Sequence, residues 1–271
     1  MQPALRRMGR VARARRADIL GLLFAAVVAA ATLALPDPAV AAAALPRGFV
    51  YLRDVDPTIH QDIRYAGSHN FVGRPVNGYL AAECILSAPA AKALAAVQKS
   101  LTDKKLSLIV WDCYRPMRAV DNFVQWSKDP THLEMKAEFY PRTDKAKLFA
   151  LGYIARRSGH SRGSTVDLGI VPADLSSAPP SDPAQPLKAC TAPKGERFED
   201  GTIDFGTGYD CLDVLANTSA DVGATARSNR QTLKSAMQAA GFRPYAREWW
   251  HFQLGNEPFD HGFDFEVAAR P

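Results

Sequence analysis

The stretch Ser158-Gly159-His160-Ser161-Arg162-Gly163-Ser164-Thr165-Val166-Asp167-Leu168-Gly169-Ile170 decides how this chain must fold. Its second half alternates. Written as a strand over 165–170, it sends Val166, Leu168 and Ile170 to one face and Thr165 and Asp167 to the other. The apolar face can anchor a core while Asp167 looks into a cleft. His160 lies seven positions before Asp167, an odd offset that a straight strand would send to the opposite face. The chain must therefore turn between them, and Gly163 permits the turn.

A second stretch, Glu248-Trp249-Trp250-His251, supplies what the first lacks. The offset of three between Glu248 and His251 fits one face of a helix. Yet Tyr245, Trp249, Trp250 and Phe252, bracketed by Gly241 and Gly255, favour a strand. A bulge or strong twist is therefore expected there, a device that re-aims side chains. Two imidazoles and a carboxylate make the donor set of a catalytic zinc centre, which uses three protein ligands and keeps a fourth position open. Zinc lowers the pKa of bound water from about 15.7 to about 7, within reach of a neighbouring carboxylate base. His160, Asp167 and His251 are thus the candidate ligands of one zinc ion per chain, and Glu248 is the candidate general base. Taken singly, each of these residues fits an ordinary structural role; the constellation is what points to chemistry.

Around these stretches the pattern mixes helices and strands, which gives an α+β class. Residues 87–102 read as a helix with Ser87 as N-cap and Leu94, Val97 and Leu101 on one face, and residues 106–111 as a buried strand. A second helix follows Pro116 and carries Val120, Phe123 and Val124 at helical spacing. Ser228 with Gln231 three positions on forms a capping-box signal for a helix through Leu233 and Met237, stopped by Gly241. Residues 172–202 hold six prolines and are expected to be irregular, either a solvent-exposed loop or a flap over the cleft.

The N-terminus reads as an export signal: six arginines by position 16, an apolar run over 19–35, and Ala39-Val40-Ala41 as a cleavage site. An uncleaved anchor is the rival reading, but the run is slightly short for a span. Export to the periplasm is expected, with residues 1–41 as signal peptide, no stable membrane insertion after its removal, and residues 42–271 as one domain containing the proline-rich loop. Residues 1–41 hold six Arg and two Asp, so their removal takes the formal charge from +5 to +1. The basic character belongs to the signal, and nucleic-acid binding is not expected. The oligomeric state is not legible.

Four cysteines, Cys84, Cys113, Cys190 and Cys211, favour disulfides in an exported chain. Three pairings are possible. Cys84 with Cys113 and Cys190 with Cys211 is preferred, because the second bridge would pin the long loop to the segment after it. Closing a loop of about twenty residues is worth roughly 3 kcal/mol. A cysteine-zinc site is the competing reading, but no Cys-x2-Cys pair exists.

The His-x6-Asp and Glu-x2-His pair resembles the D-alanyl-D-alanine dipeptidases of the zinc D,D-peptidase superfamily, which includes the vancomycin-resistance dipeptidases. The similarity extends to Asn70-Phe71 with Gly78-Tyr79, to Trp111-Asp112-Cys113-Tyr114-Arg115-Pro116, to Phe205-Gly206-Thr207-Gly208-Tyr209-Asp210 and to Phe263-Asp264-Phe265. It spans nearly all of the chain after the signal, although residues 172–202 look longer than in the family. The resemblance implies the small antiparallel sheet flanked by helices that this superfamily shares with the hedgehog signalling domain. It also implies hydrolysis of the dipeptide D-Ala-D-Ala to two D-alanines.

Under that resemblance Arg115 stabilises the oxyanion of the tetrahedral intermediate and Asp210 binds the substrate ammonium. Read from the residues alone, Arg115 follows a buried strand and is held extended by Pro116, and a salt bridge to Asp112 is its other reading. Asp210 or Asp213 could equally cap a helix near Leu212. Ser158 and Ser161 contact substrate or bond the turn, and neither is assigned as a nucleophile. Phe71 and Tyr79 line the pocket or pack in the core, and His60, His69, His132 and His261 lie outside the motifs. The rival activities are a D,D- or L,D-carboxypeptidase acting on peptidoglycan stems and, from another class, a non-catalytic zinc-stabilised binding module.

Overall fold

A computed structural model describes residues 44–271 apart from residue 183. The expected signal peptide and its cleavage site lie outside the described residues. Among the described residues, no helix is long and apolar enough to cross a membrane.

In chain order the main elements are β1 (Phe49–Tyr51), α1 (Leu52–Val55), β2 (His60–Gln61), β3 (Ile85–Ser87), α2 (Ala88–Thr102), β4 (Leu106–Asp112), α3 (Met117–Lys128) and α4 (Lys136–Phe139). They continue with β5 (Thr165–Pro172), α5 (Ala224–Ala239), β6 (Phe242–Tyr245) and β7 (Glu248–Leu254). β1 and β3 form a two-stranded antiparallel sheet, and a five-stranded sheet runs in the order β2-β4-β5-β7-β6. Every pair in the larger sheet is antiparallel except β2 with β4. The class is mixed α and β, as the sequence pattern indicates.

β4 and β5 are buried along nearly their whole lengths, because α2 covers β4 on one side and loops close the other. Gly169 in β5 is required by this packing: a Cβ there would lie 2.6 Å from Cη2 of Trp111. The register of β4 on β5 breaks between Val110 and Asp112, after which Asp112 pairs with Asp167. Asp167 in turn pairs with His251 of β7. One rung across three strands therefore carries Asp112, Asp167 and His251 side by side, and it positions the site.

Several local expectations are corrected by the structure. Ser87 sits at the N-cap of α2, but its hydroxyl makes no capping bond; it meets the Ser164 hydroxyl at 2.7 Å instead, tying the helix start to β5. α5 begins at Ala224, four residues before Ser228, so the capping-box signal falls inside the helix, where Gln231 bonds Ser235 rather than a helix terminus. Gly241, at φ +88°, does follow the helix end. Both preferred disulfides, Cys84–Cys113 and Cys190–Cys211, are formed.

Candidate functional site

His160 comes from a single 3₁₀ turn (Gly159–Arg162), entered through Ser158, whose hydroxyl accepts from His160 N at 3.3 Å. Gly163 leaves this turn at φ +72°, and a Cβ there would strike the Phe49 ring. The reversal required by the seven-residue offset is made here. Asp167 then rises from β5, and His251 faces it from β7. The bulge expected near Glu248 is present: Tyr245 pairs with Glu248 while its neighbour Pro244 pairs with Phe252. Three residues of β7 thus have no partner on β6. This lets Glu248 and His251 face one cleft while Trp249 and Trp250 are buried.

His160 Nε2 lies 3.3 Å from Asp167 Oδ1 and 3.3 Å from His251 Nδ1, and His251 Nδ1 lies 3.0 Å from Asp167 Oδ1. The tautomer of His160 follows from its other nitrogen. Nδ1 is 2.8 Å from the carbonyl oxygen of Cys113, which can only accept, so Nδ1 carries the proton and Nε2 presents a lone pair. Asp167 Oδ1 is buried and accepts no well-formed hydrogen bond. Three electron-pair donors thus converge, the arrangement that a divalent cation satisfies, and the nitrogen and oxygen donors suit zinc.

Burial works to raise the Asp167 carboxyl, and when His160 and His251 are both protonated their charge outweighs burial and holds it well below the usual carboxylate range. Glu248 Oε2 stands 3.5 Å from His251 Nδ1, and burial pushes its carboxyl up to about 7 against the pull of His251. A carboxylate with that proton affinity can take and return a proton near neutrality.

The cleft above this rung has a volume of about 290 Å³. Arg115 enters it from the segment after β4, held by Asp112 Oδ2 at 2.8 Å from Nε and 2.7 Å from Nη2, with Asp167 Oδ2 at 3.7 Å. Its guanidinium also lies 5.1 and 5.2 Å from the Phe123 and Tyr65 ring centroids. The salt bridge to Asp112 and a place in the cleft are therefore compatible. Asp210 also lines the cleft, buried, at φ +55°, and accepts from the Tyr65 hydroxyl at 2.7 Å. Burial, then the charge of Asp167, push its carboxyl well above the ordinary value. The capping role belongs to Asp213, which accepts from Leu215 N at a short 3₁₀ turn.

Ser158 and Phe71 line the cleft, whereas Tyr79 and Ser161 do not. Tyr79 is buried behind the site and donates its hydroxyl to Asp112 Oδ1, and Ser161 is buried in the 3₁₀ turn. None of the described residues 172–202 lines the cleft. One wall is built by residues 152–159, including Tyr153, Ile154 and Arg157, and by Tyr245. Sequence reading missed this wall, whereas the salt bridge from Arg115 to Asp112 was one of its two readings and is formed.

The family model described as D-Ala-D-Ala dipeptidase matches residues 46–178 and 196–268 and passes over 179–195, within the proline-rich loop. The chain is 37% identical to a D-alanyl-D-alanine dipeptidase of Streptomyces coelicolor over 81% of this chain and 98% of that one. It is 32% identical to a D-alanyl-D-alanine dipeptidase of Enterococcus faecalis, over 83% of this chain and 100% of that one. A solved vancomycin-resistance D,D-pentapeptidase in complex with Zn(II) superposes at a TM-score of 0.35 with 14% identity, covering 66% of this chain and 77% of that one. That likeness is too slight to bear on the site. The match of the family model over most of the length, together with these identities, shows that the chain belongs to the D-alanyl-D-alanine dipeptidase family of metallopeptidases.

Proposed function

We propose that the chain hydrolyses D-alanyl-D-alanine to two D-alanines with one zinc held by His160, Asp167 and His251. The observation that carries this reading is the convergence of those three donors, with Glu248 on the same cleft face, in a chain of this family. Zinc bound there supplies Lewis acidity that polarises a carbonyl and acidifies water. The Glu248 carboxylate takes a proton from the attacking water and delivers it to the departing amine. The Arg115 guanidinium, fixed by Asp112, offers the positive charge that the developing oxyanion needs. Asp210 receives the ammonium of the substrate, which selects a free dipeptide over an acylated one. Action in the periplasm fits the signal-like N-terminus and the two disulfides.

Elemental analysis and a D-alanine release assay test the assignment together. Protein purified without added metal should contain one zinc per chain, and His251→Ala should lose it. Glu248→Ala should keep zinc and lose nearly all turnover. Full metal content in His251→Ala, or near-wild-type turnover in Glu248→Ala, overturns the corresponding role.

A further inference from the structure

The Cys84–Cys113 disulfide lies directly behind the donor cluster. Cys113 follows the last residue of β4, and its carbonyl oxygen accepts the Nδ1 proton of His160 at 2.8 Å. That contact is the shorter of two at Nδ1, Asp112 Oδ2 lying at 3.3 Å; both acceptors fix the same tautomer and aim Nε2 at Asp167 and His251. Cys113 stands one residue past the last β4–β5 pair, Asp112 with Asp167, so its carbonyl lies beyond the paired part of the strand. What holds it are the bridge to Cys84 and its surroundings: Cys84 N donates to Gln61 Oε1, Leu52 N donates to the Cys84 carbonyl, and Tyr114 N donates to the Ile85 carbonyl. Arg115 N also donates to the His160 carbonyl at 3.3 Å, so the same short segment carries both His160 support and Arg115.

We propose that the Cys84–Cys113 bridge is a positioning device for His160, so that zinc affinity depends on its being closed. This rests on the reading of His160 as a ligand. The bridge fixes the carbonyl, the carbonyl fixes the ring, and the ring completes the donor set. A chain with the bridge open keeps all three donors but loses their alignment, and it takes up zinc weakly in a reducing compartment. The other disulfide provides an internal control. The two bridges span 29 and 21 residues, so their loop-closure contributions are closely similar. The backbone and sulfur partners of Cys190 are Glu138, Gly208 and Phe139, none of them a donor in the cluster.

The test compares C84A/C113A with C190A/C211A, reading the zinc dissociation constant by competition with a chromophoric chelator and the visible spectrum of the cobalt(II) forms. Losing the support behind a ligand histidine costs about 10- to 100-fold in metal affinity. C84A/C113A should show that loss and an altered cobalt spectrum, while C190A/C211A stays within about twofold of wild type despite a similar fall in thermal stability. Unchanged zinc affinity in C84A/C113A, or equal losses in both variants, overturns the proposal. Should C84A/C113A fail to fold, the remaining bridge of C190A/C211A is opened with a phosphine, which takes up the oxygen of water as the bridge becomes two thiols. With far-UV circular dichroism still native, tenfold weaker zinc supports the proposal and unchanged zinc overturns it. His160→Ala, run alongside, separates two failures. Full zinc affinity there removes the ligand assignment and this inference with it, whereas lost affinity there with none lost in C84A/C113A removes this inference alone.

Discussion

Asp210→Asn isolates the charge that the dipeptide ammonium is expected to meet. The change is nearly isosteric, and Asn is among the residues best suited to the left-handed φ of +55° found there, so the backbone is not strained by it. The Tyr65 hydroxyl, now 2.7 Å from Asp210 Oδ2, can donate equally well to an amide oxygen. What is lost is the negative charge of the ionised carboxyl, a form that burial and Asp167 disfavour until the substrate ammonium stabilises it. At an effective dielectric of about 20 and a separation of about 4 Å, the attraction between two unit charges is about 4 kcal/mol. Breaking a buried pair by removing one partner costs about 3–5 kcal/mol. With each 1.36 kcal/mol worth tenfold, kcat/KM for D-Ala-D-Ala should fall by about 10²- to 5 × 10³-fold. N-acetyl-D-Ala-D-Ala carries no ammonium, so its kcat/KM, already low in wild type, should change little. The assay measures D-alanine release from both substrates, with zinc content determined on the same samples. A wild type that prefers the acylated peptide or long wall stems refutes the reasoning and favours the carboxypeptidase reading. So does an Asp210→Asn variant that cleaves the free dipeptide normally.

Arg115→Ala should lower kcat by about 10²–10³ with zinc retained, the usual cost of one removed oxyanion donor; unchanged kcat would move that role elsewhere. Gly163→Ala should destabilise the fold by about 2–4 kcal/mol in urea titrations, from left-handed strain plus overpacking. The added Cβ strikes a Phe49 ring already enclosed by Tyr114, Phe259, Phe263 and Phe265, and a cost below about 1 kcal/mol would mean that the ring yields. Burial alone would raise the Asp213 carboxyl, but the Arg142 guanidinium and Leu215 N–H outweigh it and depress it. Its folded value thus lies below its unfolded value of about 3.9, so its contribution is complete above that pH and is lost as pH falls through the folded value. Asp213→Asn should therefore cost stability at neutral pH and converge on wild type in acid, as followed by thermal melts from neutral pH to pH 2.

The strand carrying Asp167 and the turn before it were legible because period-two alternation and an odd ligand offset leave one local solution. The β7 bulge was legible for the same reason, since two cleft-facing residues three apart cannot share a straight strand. Capping signals were read less well. Ser228 and Gln231 fit a helix start, yet α5 begins earlier because Gly223, at φ +82°, serves as its N-cap. Ser87 holds the N-cap position, but a tertiary partner, Ser164, claims its hydroxyl. Tyr79 and Ser161 each carry two readings in sequence, because motif proximity does not say which side of Asp112 or of a 3₁₀ turn a side chain takes. The wall over 152–159 carried no periodic signal at all, and its role arises only from contacts with residues far along the chain.

The proline-rich segment has a different consequence. Its base is fixed: Ala173 N donates to the Lys105 carbonyl, Ile203 N to the Ile170 carbonyl, and Cys190 is stapled to Cys211. Between such moorings, closure entropy grows only with the logarithm of length, about 0.6 kcal/mol for each doubling. Residues 179–189, the part of the stretch passed over by the family model that precedes Cys190, therefore mark where this scaffold can lengthen, shorten or accept a grafted reporter peptide at little thermodynamic cost, leaving the rung of Asp112, Asp167 and His251 untouched.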